Sequence, residues 1–114
     1  MHELGIVFYI IDDVKEIAAA NSATTVSRVT LQLGEVSGVV PDLLQSAWEW
    51  ACKREPLMDG ARLEIEDIPA VTYCEGCGAE YGTAEHGKIC PACGSEHTYL
   101  LRGREVMIKE IEAY

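Results

Sequence analysis

Positive charge is scarce in this sequence: 9 Lys and Arg stand against 19 Asp and Glu in 114 residues, for a formal net charge of −10. A surface of that sign repels phosphate backbones and anionic lipid headgroups, so neither nucleic acid nor a membrane is expected as a partner. A long hydrophobic run is also lacking. Leu4 to Ile11 is apolar, but no basic residue precedes it and Asp12 and Asp13 end it. That is too short for a membrane span and wrongly flanked for a signal peptide, so the expected location is cytoplasmic. Neither a nucleophile–base pair nor a phosphate-cradling glycine loop is present, and the chain is not expected to be an enzyme.

What is there suits a folded protein. The composition is 48% hydrophobic and 25% charged, which argues against disorder. A chain of this length has room for one modest core and a small appended module. Apolar residues at Ile6, Val7, Ile10, Ile11, Val14, Ile17 and Ala18 mark one face of a helix that ends near Asn21. From Thr25 to Leu33 the pattern alternates, with Val29, Leu31 and Leu33 opposed to Arg28, Thr30 and Gln32, which predicts a half-buried strand. Pro41 followed by Asp42 suits the first turn of a second helix, with Leu44, Ala47, Trp48, Ala51 and Cys52 as its apolar stripe. Trp48 reads as core, Cys52 as a small buried side chain, and Trp50 lies at the stripe's edge, where it would mark a partner surface.

A second strand follows around Leu63 and Ile65, and a third resumes at Val106 and Ile108 after Gly103. The stretch between them is dense in Gly and Cys and poor in periodic apolar residues, so it does not build a core by itself. The expected fold is therefore α/β, with two helices packed on a three-stranded β-sheet and a zinc ribbon inserted between strands. In residue terms this gives one domain from 1–69 plus 103–114 and a second from 70–102. The local pattern does not specify strand order. Exchange of the insert between protomers would give a homodimer.

Cys74-Glu-Gly-Cys77-Gly78 and Cys90-Pro-Ala-Cys93-Gly94 repeat one knuckle, with twelve residues between the pairs. Each pair supplies one edge of a tetrahedron, and four thiolates suit Zn²⁺ at about 2.3 Å without redox change. Four protein ligands leave no open position, which favours structural over catalytic zinc; an iron–sulfur cluster or a redox dithiol are the alternatives. The glycine after each second cysteine accommodates a left-handed turn that aims N–H groups at sulfur. Many ribbons bind nucleic acid, but between Tyr73 and Gly103 Lys88 and Arg102 face Glu75, Glu80, Glu85 and Glu96, so no phosphate-tracking patch forms.

At the other end, Met1-His2-Glu3 joins a primary amine, backbone amides and an imidazole within a few bonds. With Met1 retained ahead of the bulky His2, the Met1 amine, the His2 amide and imidazole and the Glu3 amide make four nitrogens. That set suits square-planar Ni²⁺ better than tetrahedral zinc. The simpler reading of a histidine at position two is a solvated terminal residue.

Taken together, Met1-His2-Glu3 opening an amphipathic helix, Leu33-Gly34-Glu35-Val36-Ser37-Gly38-Val39 before a helix, the twin knuckles and a closing strand resemble the HypA/HybF family of hydrogenase nickel-insertion proteins. The resemblance runs the length of the chain. It implies a nickel metallochaperone that delivers Ni²⁺ for maturation of the [NiFe]-hydrogenase large subunit and works with a HypB-type GTPase, in some organisms also serving urease maturation. It implies a nickel site at Met1, His2 and Glu3 and a structural zinc site at Cys74, Cys77, Cys90 and Cys93. The alternative is a ribbon adaptor that binds only protein and delivers no metal.

His97, four residues beyond Cys93, is a candidate extra nickel ligand, against the simpler reading of a solvated ribbon histidine; His86 has the same simple reading. Glu35, Asp42, Glu64 and Glu66 read as a solvated face rather than a second metal site.

Overall fold

The computed structural model describes residues 3–114. The chain divides into two compact units. The first comprises the stretch up to Leu31, Val39–Glu66 and Met107–Tyr114; the second comprises Gln32–Gly38 and Asp67–Val106.

In the first unit, helix α1 spans Glu3–Ala20 and helix α2 spans Pro41–Cys52. The 3.6-residue spacing of α1 buries Val7, Ile10, Ile11, Val14 and Ala18. Ile17, expected on that face, is instead 44% exposed. Just beyond, the chain reverses: Asn21 Nδ2 donates to the Ile17 carbonyl at 2.8 Å, and Ser22 takes φ 56°. The Ala23 N–H returns to the Ala18 carbonyl at 2.9 Å and the Ser22 N–H to that of Ala19 at 3.2 Å, so the carbonyls of Ile17, Ala18 and Ala19 all have partners as the helix stops. Helix α2 opens on Pro41, whose missing N–H is no loss at that position. It buries Leu44, Trp48, Ala51 and Cys52. Trp48 Nε1 donates to the Ala61 carbonyl at 2.9 Å, so the ring is buried with its polar handle satisfied.

Strands β1 (Val26–Gly34), β2 (Arg62–Ile68) and β6 (Val106–Ala113) form a sheet in the order β2-β1-β6. Hydrogen bonds from Thr24 and to Thr25 meet Tyr114, while Gly34 meets Glu105, so β1 and β6 run antiparallel. The central position of β1 explains a departure from simple alternation: Val29, Thr30 and Leu31 are all buried, because the side chains of a middle strand are flanked by those of a neighbouring strand at each edge. On this sheet Arg28 sits among three carboxylates, with Glu110 at 3.0 Å, Glu112 at 3.4 Å and Glu64 at 3.8 Å.

The second unit has a sheet of its own, which the sequence pattern does not announce. Strands β3 (Val71–Cys74), β4 (Glu80–Gly82) and β5 (Thr98–Arg102) pair in the order β4-β3-β5, both pairings antiparallel. One short helical turn, α3 (Thr83–His86), follows β4. The apolar cluster here is small: Cys74, Tyr81 and Cys90, with Ala79 packed against them. Two of those three are cysteines, so the unit's interior and its thiol cluster are one feature.

Candidate metal centre

The first knuckle begins at the end of β3 and the second in the loop beyond α3, and each turns back on itself. The Gly78 N–H bonds to the Cys74 carbonyl at 2.8 Å, and the Gly94 N–H bonds to the Cys90 carbonyl at 2.8 Å. Both glycines sit in the left-handed region, at φ 77° and 75°, where a Cβ would be strained. Cys74 and Cys90 are buried, Cys77 and Cys93 exposed. Each turn thus presents one inner and one outer sulfur.

The sulfurs of Cys74, Cys77, Cys90 and Cys93 all lie within 4.8 Å of one another. Across the knuckles, Cys74 Sγ and Cys93 Sγ are 3.6 Å apart, as are Cys77 Sγ and Cys90 Sγ. A disulfide would require about 2.05 Å. A tetrahedron with metal–sulfur bonds of 2.3 Å has edges of about 3.8 Å, so the donor set fits Zn²⁺ in both number and spacing. Among the described residues, this is the group of His, Cys, Asp and Glu side chains that could hold a metal ion.

The thiols do not ionise alike. Burial pushes Cys90 up, but the N–H groups of Cys93 and Ala92, with the thiols of Cys77 and Cys74, outweigh it and hold the group down at about 7. Cys93 moves the other way. The Ser95 N–H draws it down, yet the neighbouring thiols, Cys74 first, push it up to about 12. Cys77 is likewise raised, despite the Ala79 N–H. Cys90 therefore loses its proton readily while Cys77 and Cys93 resist, and a divalent cation at the centre of the cluster would remove that resistance. The same N–H groups then serve as the outer shell that orients the thiolates. Ser95, which the sequence pattern does not single out, contributes here: its carbonyl accepts the Cys90 N–H at 3.0 Å, and its hydroxyl accepts the His97 N–H at 3.0 Å.

The other site residues fall elsewhere. Met1 and His2 lie outside the described residues. Glu3 begins α1, and its Oε2 accepts the Val40 N–H at 3.2 Å, placing a carboxylate at the start of α2 where the helix dipole favours it. His97 is exposed, its carbonyl accepting the Glu75 N–H at 2.9 Å. His86 packs edge-on to Tyr81, with ring centres 5.9 Å apart. Glu35, read from sequence as part of a solvated face, uses its Oε1 to accept the Ala70 N–H at 2.9 Å. Cys52 is buried in α2, and burial with the nearby Glu55 pushes its thiol up to about 11, so it is a packing residue.

A closed cluster of four thiols in a small α/β chain, with no helix long and apolar enough to cross a membrane among the described residues, defines a metal-binding ribbon protein. Its residues 1–113 match the family described as "Hydrogenase/urease nickel incorporation, metallochaperone, hypA". Among its relatives, the Hydrogenase maturation factor HypA of Geobacter metallireducens is 38% identical over 112 residues, and that of Geotalea uraniireducens 40% over 113, each match covering 98% of both chains. The solution structure of the Ni metallochaperone HypA from Helicobacter pylori superposes with a TM-score of 0.74 at 27% identity, covering 99% of this chain and 97% of that one. The chain belongs to the HypA family of nickel metallochaperones for hydrogenase maturation.

Proposed function

We propose that this chain binds Ni²⁺ at Met1, His2 and Glu3 and delivers it to the [NiFe]-hydrogenase large subunit, while Zn²⁺ at Cys74, Cys77, Cys90 and Cys93 holds the ribbon in shape. The observation that carries this reading is the four-sulfur cluster, spaced for a zinc tetrahedron, in a chain matching the nickel-incorporation family from residue 1 to 113. The two metals separate by chemistry. Thiolates closed around zinc exchange slowly and leave no open position. Backbone nitrogens with an imidazole suit square-planar Ni²⁺ and can be handed over one donor at a time.

The protein acts as a carrier and not as a catalyst, in the cytoplasm, with a HypB-type GTPase as its working partner; urease maturation is a second client path. The division into a nickel-binding domain of 1–69 plus 103–114 and a zinc domain of 70–102 belongs to the same proposal. So does His97 as an additional nickel donor.

Nickel titration of the His2→Gln protein tests the reading. Loss of planar nickel absorption is expected, and retention of one Ni²⁺ per chain with unchanged affinity would sink it in favour of an adaptor that binds only protein. Adding one residue before Met1 displaces the amine and should have the same effect. Cobalt or nickel substitution of the ribbon leaves a distinct sulfur charge-transfer band, so the two sites are read separately.

A further inference from the structure

The inner face of the ribbon sheet continues past its small core. Antiparallel register sets Thr72 opposite Tyr81 and Leu100, and Cys74 opposite Thr98, so these side chains share one face. Cys74 and Tyr81 lie in the apolar cluster. Thr72, Thr98 and Leu100 instead line a cavity of about 580 Å³, together with Thr83, Gly87 and Val36. Lys88 and Arg104 border it. The second unit's cations are Lys88, Arg102 and Arg104, so two of its three stand at this one cavity.

Every polar side chain at this cavity can donate, and part of that capacity is unspent. In a chain with 19 carboxylates, neither the Lys88 ammonium nor the Arg104 guanidinium has an ion-pair partner among the described residues. Thr72 Oγ1 and Thr83 Oγ1 are 2.6 Å apart. One hydrogen serves that bond, and the second hydroxyl hydrogen is left to point elsewhere. Thr98 donates to the Lys88 carbonyl at 2.6 Å, which fixes the backbone that carries the lysine. Two cations and a hydroxyl donor against a wall of Leu100 and Val36 form a receptor for a negative group attached to an apolar body.

We propose that this cavity is a docking pocket for an acidic peptide segment, in which a Glu or Asp carboxylate sits between Lys88 and Arg104 and an adjacent apolar side chain lies on Leu100 and Val36. Volume favours a peptide over a bare anion: about 580 Å³ lies in the range of pockets that enclose whole organic ligands, and an inorganic anion would fill a small part of it. β5 adds to the case, since it is an edge strand of its sheet and its Thr98, Tyr99 and Leu100 all line the cavity. The pocket draws on neither the cysteine sulfurs nor the N-terminal nitrogens, so it stands independently of nickel carriage.

The test is an amide NMR titration of the full, zinc-loaded chain without nickel. The probes are the blocked peptide Ac-Leu-Glu-Leu-Glu-NH2, its glutamine counterpart Ac-Leu-Gln-Leu-Gln-NH2, and inorganic phosphate. The glutamate peptide should shift the amides of Thr72, Thr83, Lys88, Thr98 and Arg104, more weakly as NaCl is raised. The glutamine peptide, and the glutamate peptide on the Lys88→Gln/Arg104→Gln protein, should each bind about tenfold more weakly or worse. Both substituted positions are exposed, and an unchanged amide spectrum elsewhere verifies that the variant folds. Equal binding of the two peptides, no loss in the double variant, or no shifts at the pocket would each overturn the proposal. Phosphate shifting the same amides as strongly as the peptide would overturn it in favour of an inorganic-anion site.

Discussion

Gly34 and Gly103 meet backbone to backbone. A Cβ built on Gly34 would lie 2.1 Å from the Gly103 carbonyl oxygen and 2.6 Å from the Arg104 nitrogen, and one built on Gly103 would lie 2.4 Å from the Ala70 Cα. Hydrogen bonds surround this contact. The Val36 N–H reaches the Gly103 carbonyl at 2.8 Å, the Gly34 N–H reaches the Glu105 carbonyl at 2.7 Å, and the Glu35 N–H reaches the Ile68 carbonyl at 2.9 Å. The end of β1, the link from β2 to β3 and the link from β5 to β6 are pinned together there, and the Glu35 carboxylate on Ala70 closes the arrangement.

Gly34→Ala should therefore destabilise by about 3 kcal/mol, since the atoms it meets are backbone and cannot swing aside. Gly103→Ala adds strain at φ 121°. Urea unfolding followed by circular dichroism measures both, with Gly38→Ala, which meets nothing within 4 Å, as the milder comparison. Gly34→Ala matching wild type would mean the approach is looser than described.

Metal removal should disorder the ribbon. Chelation by EDTA, or Cys74→Ala, is expected to collapse the amide dispersion of Tyr73 through Leu101 while Val29 and Trp48 keep their signals, because an interior of Cys74, Tyr81 and Cys90 is too small to hold without an ion. Elemental analysis should find about one zinc per chain. Retained dispersion in the metal-free ribbon would count against a structural ion.

Acidification should release nickel. Imidazole and amine must lose protons to bind, with ordinary values of about 6.5 and 7.7–8.0, so apparent affinity should fall by about a hundredfold or more between pH 8 and pH 6. Competition against a chromophoric chelator reads this directly, and a flat profile would exclude both groups as ligands.

Glu112 makes a second, independent pH dependence. The Ser27 hydroxyl at 2.8 Å, and then the Arg28 charge, hold its carboxyl below the ordinary value of 4.5. The folded chain therefore takes up this proton less readily than the unfolded one. The resulting stability is complete above the ordinary value and drains away as pH falls through the depressed one. Ser27→Ala should move the Glu112 titration upward in carboxyl NMR and narrow the stability gap between pH 6 and pH 3.

Helix faces and knuckle turns were the most legible features, because each is encoded over a few neighbouring residues. The spacing from Val7 to Ala18 defines α1, and the glycines after Cys77 and Cys93 adopt the left-handed φ that their position implies. Burial at a helix edge is less local, as the exposure of Ile17 shows. Thr30 is buried because β1 has neighbours on both sides, a fact of strand order that alternation does not carry. The ribbon's own sheet escapes the pattern for another reason: strands of four, three and five residues are too short for a period to register. The role of Glu35 escapes it because its partner, Ala70, lies 35 residues away.

Two tryptophans, two residues apart on α2, give the molecule an optical gauge with separate channels. Trp48 is 1% exposed and Trp50 45%. The first emits from a dry interior and reddens when the core melts. The second, with the Arg54 guanidinium 3.5 Å above its ring and Phe8 edge-on at 6.3 Å, answers to iodide and to anything that displaces that cation. Quenching Trp50 alone leaves a signal that tracks unfolding without labels, and the difference between the two reports events on the helical surface while the core stays intact.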